Sequence, residues 1–220
     1  MKRSLCLSLC LSLCLSVLPS VASAHPHIFV EAQVALVFDG SGAMAGVRLT
    51  WTYDDFFSLL LTEDLGLDPD GDMVLRADEV AVLQGAVLDW PADFGGDLEV
   101  TQGGAPLALG AARDKVAVLV EGRVRESHFR PLAAPVTATA PVNVQVFDPF
   151  YYVAYEVVAP ITVEGRADCA TQLRKADLNS AYALVDELLY GRPAGDVGPD
   201  EAFPEVGAAF ADTVTVTCGG

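Results

Sequence analysis

The chain has 220 residues, of which 30 are acidic and 13 are lysine or arginine, giving a formal net charge of −17. A surface this acidic repels nucleic acid and anionic lipid, so neither partner is expected, whereas it attracts cations. Solubility of an exported protein could account for the same charge, so composition alone assigns no activity. The length suffices for one well-formed hydrophobic core.

The first segment has the three parts of a secretory signal peptide. Two basic residues form its positive start, Leu5–Leu18 is an apolar run, and Ala22-Ser23-Ala24 is a small-residue cleavage site. We therefore expect residues 1–24 to be removed, leaving a single periplasmic domain, residues 25–220, with no stable membrane insertion. An uncleaved anchor is the alternative, but the apolar run is short for a membrane span.

β-Structure is predicted at the start of the mature chain. Apolar residues alternate with less consistently apolar ones along residues 28–38, and the alternation resumes over residues 47–51. Gly40-Ser41-Gly42 supplies a turn between the two runs. This pattern predicts a β-hairpin.

A helix–loop–helix is predicted next, over about residues 54–90. Apolar residues at helical spacing are Phe56, Leu59 and Leu60. Asp54 or Asp55 is a suitable N-cap for this first helix. The second helix is expected over about 77–89, before Pro91.

From about residue 94 to 220 the chain is expected to be β-rich. The segments 115–129, 135–148 and 151–165 are rich in Val, Thr, Tyr and Phe, which favours a packed antiparallel sheet or sandwich. Three further elements are predicted: a helix within 178–191 with Ala181, Leu184, Val185 and Leu188 on one face, a loose acidic linker over 192–207, and a closing strand over 212–218. The predicted fold class is α+β, an antiparallel β-rich sheet or sandwich with an inserted EF-hand-like helix–loop–helix and one C-terminal helix.

Cysteine usage indicates one disulfide. Cys6, Cys10 and Cys14 leave with the signal peptide, and Cys169 and Cys218 remain. Two cysteines in an exported chain most simply pair, and closing a loop of about 50 residues stabilises the fold by roughly 4 kcal/mol in the chain-entropy model. The C-x-x-C spacing typical of a redox role is absent from the sequence.

The segment "DPDGDMVLRADE" has the pattern of a twelve-residue calcium loop. The carboxylates at ligand positions 1, 3, 5 and 12 are Asp68, Asp70, Asp72 and Glu79. Leu75 stands at the position where such loops pack an apolar residue between their helices. Position 6 is normally Gly because the chain turns sharply there, but Met73 occupies it. An acidic turn between helices is the alternative to a calcium site.

A transition-metal site is predicted at the mature N-terminus. Cleavage after residue 24 makes His25 the first residue, so its α-amine and ring nitrogen can chelate one metal ion together. His27 points the same way in an extended chain and adds a second imidazole. Pro26 has no amide hydrogen, which prevents chelation through deprotonated backbone amides. Zinc, nickel, cobalt or copper suit such nitrogen ligands; a solvated terminus without metal is the alternative.

Two further residues are candidate ligands of the same transition metal. His128 is the third histidine of the chain and is either a ligand or an ordinary strand residue. Asp148 is either a carboxylate ligand or a turn former. The sequence contains no nucleophile elbow, P-loop, H-E-x-x-H or dinucleotide fingerprint, so we do not expect an enzyme.

Five segments in one order resemble an uncharacterised family of bacterial exported proteins. They are "HPHIFVEA", "LTWTYDDFFS", "DPDGDMVLRADE", "FDPFYYVAYE" and "VTCGG". Members of this family are often described as the periplasmic component of a transport system. They typically accompany a nickel/cobalt-type inner-membrane permease, and the resemblance implies a role in zinc or nickel uptake.

The leading hypothesis is a periplasmic metal-binding accessory protein. It would capture zinc or nickel/cobalt at its N-terminal histidines and deliver the metal to a permease, with calcium bracing the two helices. One alternative is a copper oxidoreductase with an N-terminal histidine brace, which needs His128 and an axial group such as Tyr151 or Tyr152. The other alternative is a calcium-braced interaction module.

Overall fold

The computed structural model describes residues 26–91, 94–194, 197 and 203–219. The predicted signal peptide and His25 lie outside these residues. In chain order the strands are β1 (Ile28–Phe38), β2 (Met44–Tyr53), β3 (Leu98–Gln102), β4 (Ala105–Pro106), β5 (Arg113–Val120), β6 (Arg123–Val136), β7 (Val142–Val146), β8 (Val153–Val157), β9 (Thr162–Glu164), β10 (Cys169–Arg174) and β11 (Thr213–Cys218). The α-helices are α1 (Asp55–Asp64), α2 (Ala77–Val87) and α3 (Leu178–Leu188), and Gly207–Phe210 forms a short 3-10 helix.

The larger sheet is built around the predicted hairpin. Its strand order is β5-β6-β2-β1-β8, with β9 also pairing with β1. β1 and β2 are antiparallel, with Ala32 opposite Trp51. The expectation of antiparallel pairing fails at one edge, because β8 and β9 run parallel to β1. A parallel pairing needs a long connection, which the chain between β1 and β8 provides.

The second sheet has the order β10-β11-β7-β3-β4. Its Val100, Val144 and Val214 pack in one buried cluster with Leu36 and Leu49 of the larger sheet. The two sheets therefore form a sandwich whose core lies between them. Together with the helices, this confirms the α+β class.

Helices α1 and α2 pack on the larger sheet near β5 and β6. Asp54 is the N-cap of α1 and accepts a hydrogen bond from the Phe57 amide at 2.8 Å, as the sequence predicted. The apolar row at helical spacing is exposed, however, and Ser58 and Thr62 face the core instead. The Ser58 hydroxyl explains this choice, because it accepts a hydrogen bond from the backbone amide of Val124 on β6 at 2.9 Å.

Helix α3 packs against the segment that follows it. Ala181 and Val185 on the helix are buried together with Phe203 and Val206. The described part of the predicted loose linker is therefore packed, because its apolar residues complete a small core with α3. Within the helix Ala181 and Val185 are buried, whereas Leu184 and Leu188 are exposed.

The predicted disulfide is present. Cys169 and Cys218 face each other on neighbouring strands β10 and β11 and are joined by an S–S bond across a sequence separation of 49 residues. In the part of the chain that the structure describes, no helix is long and apolar enough to cross a membrane.

Candidate metal and ligand sites

His27 lies at the edge of the larger sheet, immediately before β1. Its backbone amide donates a hydrogen bond to the carbonyl of Tyr152 at 2.9 Å, and its ring lies 4.6 Å from the Tyr152 ring. The side chain is exposed. Because β1 pairs with both β2 and β8, a rigid strand anchors the segment that carries this histidine.

Asp148 organises the loop that contacts His27. Its Oδ1 accepts a hydrogen bond from the Phe150 amide, and its Oδ2 accepts from the amides of Tyr152 and Val153, at 2.7–3.1 Å. This is the turn-forming role that the sequence left as the alternative to metal ligation. Asp148 thus positions Tyr152 and, through it, His27.

His128 lies on the buried face of β6, and its side chain is 0 % exposed. The Trp51 and Trp90 rings both contact it edge to face, at 4.7 Å between centroids. Its Nδ1 lies 3.2 Å from Oε1 of Glu126, which is also buried. This is a buried ionisable pair between the two sheets, and no part of its imidazole reaches solvent.

The structure does not bring His128 to His27. The register places His128 opposite Leu49, and Leu49 opposite Val34. Val34 is seven residues beyond His27, which corresponds to about 23 Å along a strand. Of the two tyrosines predicted as axial groups, Tyr152 lies beside His27, whereas Tyr151 stacks on Phe210 at 3.6 Å between ring centroids.

The acidic loop between α1 and α2 brings three aspartates together. Each of Asp68, Asp70 and Asp72 has a carboxylate oxygen within 4.8 Å of the others. Met73 has a φ of 62°, the left-handed conformation that position 6 of a calcium loop requires. The loop therefore adopts the predicted turn despite lacking Gly there. Leu75 packs in the small core under the two helices, as predicted.

Glu79 is not in this group of three. Its side chain is buried and turns back to the start of α2, where Oε2 accepts a hydrogen bond from the backbone amide of Arg76 at 2.8 Å. Oε1 lies 2.6 Å from Nη2 of the same arginine. The reason is its place at the third position of the helix, where a carboxylate closes a capping box.

Two of the clefts lined by described residues have volumes typical of small-molecule sites. The first, which we call the lysine cleft, has a volume of about 530 Å³ and is lined by Phe29, Tyr155, Lys175, Leu178 and Asp212 among others. Asp212 is buried, and its carboxylate accepts hydrogen bonds from Lys175 Nζ and from the amides of Val157 and Ala176, all at 2.9–3.0 Å. The buried charge of this cleft is fully compensated by the chain itself.

The second, the arginine cleft, has a volume of about 660 Å³. Its apolar lining comprises Phe94, Leu98, Leu107, Leu109, Phe147 and Phe150, and its charged lining comprises Asp97, Glu99, Arg130 and Asp148. Asp97 accepts a hydrogen bond from the Tyr155 hydroxyl at 2.7 Å. Burial, with a further contribution from the charge of Asp148, outweighs this hydrogen bond and raises the pKa of Asp97 to about 6.

Sequence reasoning missed the buried polar row of β6. Glu126, His128 and Arg130 all face the core, with 1 %, 0 % and 7 % exposure. The alternating residues on the other face, such as Arg125 and Ser127, are polar as well. Because both faces of this strand carry polar residues, the alternation of side chains could not show which face is buried.

The chain matches a known protein family. The chain belongs to the family described as a protein of unknown function (DUF1007), whose model matches residues 10–218. No curated protein matches the chain.

Proposed function

Starting from membership of an uncharacterised family, we propose that this chain is a non-enzymatic, exported metal-binding accessory protein. It captures zinc or nickel/cobalt at its N-terminal histidines in the periplasm and delivers the metal to an inner-membrane permease. The observation that carries the proposal is the position of His27, an exposed imidazole anchored at the end of a central strand.

The geometry of this end suits transfer of a metal rather than its permanent retention. His27 is accessible, and its backbone is fixed by Tyr152, whose loop Asp148 holds in place. A preceding histidine with its α-amine would add two nitrogen ligands to the same ion. The negative net charge attracts cations to the molecule. A copper brace has less support, because His128 is buried in the core and lies away from His27.

The first experiment compares zinc and nickel binding by the protein that begins at His25 with binding by the same protein carrying one extra N-terminal Gly. The extra residue keeps both imidazoles but moves the α-amine away from His25. We expect one metal per chain by isothermal titration calorimetry, and at least about tenfold weaker binding after the Gly extension, because a chelate ligand is lost.

Substitutions define the second ligand. His27→Ala should weaken binding at least about tenfold, because it removes one nitrogen ligand. Gln33→Ala changes an exposed residue of the same strand and serves as the matched control. Equal affinity in all four proteins would place the metal elsewhere and refute the proposal.

We also propose a structural calcium ion in the loop between α1 and α2. Convergence of Asp68, Asp70 and Asp72 supports it, since three carboxylates this close repel one another without a cation. Millimolar calcium should raise the melting temperature, and Asp70→Asn should reduce the rise. Asp64→Asn, at the end of α1, is the control. No response to calcium in the melting curve and in calorimetry would exclude the site.

A further inference from the structure

Arg130 is a buried cation for which the described part of the chain provides no anion. The residue is 7 % exposed, and its Nε is buried without a hydrogen-bond partner. None of the ion pairs formed among the described residues includes it. Burial lowers the pKa of its guanidinium from the ordinary value. Because an unpaired buried charge is costly, an anion bound beside it would be strongly favoured.

Arg130 also lines a space in which such an anion can sit. Its side chain forms part of the wall of the arginine cleft, whose volume of about 660 Å³ is typical of small-molecule sites. Aromatic and aliphatic side chains, among them Phe94 and Leu109, form the other walls.

The other charges of the cleft restrict the kind of anion. Asp148 already accepts three backbone hydrogen bonds, and Asp97 accepts one from Tyr155. The third acid, Glu99, is exposed to solvent, so none of the three carboxylates requires a guest. Their negative charge disfavours a dianion such as a phosphate monoester. A single carboxylate matches the planar fork of one guanidinium, and the apolar walls suit a hydrocarbon body.

We propose that the arginine cleft binds a small organic monocarboxylate with an apolar body, whose carboxylate is held by Arg130. This site shares Asp148 with the loop beside His27, but its anion-binding group, Arg130, is not one of the proposed metal ligands, and the proposal does not depend on metal binding. Its substrate class would be short- to medium-chain or aromatic carboxylic acids.

The test uses octanoate as the probe, with calorimetry on the metal-free protein that begins at His25. We expect one octanoate per chain and at least about tenfold weaker binding of acetate, which lacks the body, and of octan-1-ol, which lacks the charge. Octylamine is the opposite-charge probe. If octylamine binds and octanoate does not, the acids of the cleft are the binding groups and the proposal is overturned.

Two substitutions test whether Arg130 binds the carboxylate of octanoate. Arg130→Met should weaken octanoate binding at least about tenfold and should leave the protein folded, with a melting temperature at or above that of the wild type. Arg113→Met removes the same charge from an exposed position of the neighbouring strand β5 and should change affinity less than about twofold. Equal loss in both variants would mean that general charge, not this cleft, attracts the probe, and the proposal would fail.

One more variant tests whether a carboxylate of the chain itself pairs with Arg130. Asp93 precedes the cleft residues in sequence and lies outside the described residues. Asp93→Asn should leave octanoate affinity unchanged. If this substitution strengthens binding about tenfold, the chain's own carboxylate competes for Arg130, and the guanidinium would not be kept for a ligand.

Discussion

The lysine cleft and the arginine cleft differ in how the chain treats a buried charge. In the lysine cleft, the Asp212 carboxylate accepts hydrogen bonds from two backbone amides and from Lys175. In the arginine cleft, Nε of Arg130 has no hydrogen-bond partner, and no ion pair among the described residues includes this arginine. The charge of Asp212 is saturated by the fold, whereas the charge of Arg130 lines a cleft and is left for a guest. Three substitutions test this difference between the two clefts.

The largest expected effect is in the lysine cleft. Asp212→Ala leaves the buried Val157 amide and the part-buried Ala176 amide without their acceptor and removes one of the three acceptors of Lys175. We expect it to lower the free energy of unfolding by about 3–5 kcal/mol. Urea denaturation at pH 7.5 measures the change. Asp186→Ala, an exposed acid on α3, should cost no more than about 0.5 kcal/mol. Similar values for the two variants would show that the Asp212 carboxylate contributes no more to stability than an exposed acid does.

An intermediate effect, dependent on pH, is expected at Asp97. Its folded-state pKa of about 6 lies above the ordinary value of an aspartate, so the charged form is disfavoured by folding. The wild-type protein therefore loses stability as the pH rises from below 4 through 6. Asp97→Asn removes the charge and keeps an acceptor for Tyr155, so it should add about 2–3 kcal/mol above pH 7.

The control for this prediction is the same pair of proteins at low pH. Below about pH 3 the wild-type carboxyl is mostly protonated in both folded and unfolded states, and the two unfolding free energies should converge. A stability difference that is constant between pH 4 and pH 8 would instead reflect packing, and the electrostatic explanation would be wrong.

The smallest effect is expected in the arginine cleft itself. Without a ligand, Arg130→Met exchanges a buried unpaired charge for an apolar side chain of similar length, which should raise the free energy of unfolding by about 1–2 kcal/mol. Arg113→Met should lower it by less than about 1 kcal/mol, since Arg113 is exposed and loses only its contact with the Phe129 ring. A loss of more than 1 kcal/mol in Arg130→Met would mean that the arginine supports the fold.

Sequence patterns predicted those elements whose stabilisation is local. The β1–β2 hairpin followed from alternation, and Asp54 was one of two caps expected at the start of α1. The pairing of Cys169 with Cys218 followed from there being no other cysteine after the predicted signal peptide. In each case one short stretch of sequence, or the number of cysteines, was sufficient to predict the feature.

What depends on distant partners was not predicted. The burial of Ser58 instead of Phe56 depends on an amide of β6 that is 66 residues away. Glu79 was expected at the calcium loop, but Arg76 attracts its carboxylate to the helix start. Arg130 is buried because the second sheet and the segment after α2 cover that face of β6. For Ser58 and Arg130 no nearby residue carries the signal, whereas the contact of Glu79 with Arg76 is a local capping box that competes with the calcium-loop pattern.

The order of the strands along the chain has a consequence for folding speed. The second sheet consists of β3, β4, β7, β10 and β11, but β5, β6, β8 and β9 of the larger sheet lie between them in sequence. Neither sheet can be assembled from one continuous segment, so most pairings must close long loops before they gain contacts. Folding should take milliseconds to seconds, as for other β-rich domains with distant contacts, and should join both sheets in a single cooperative step.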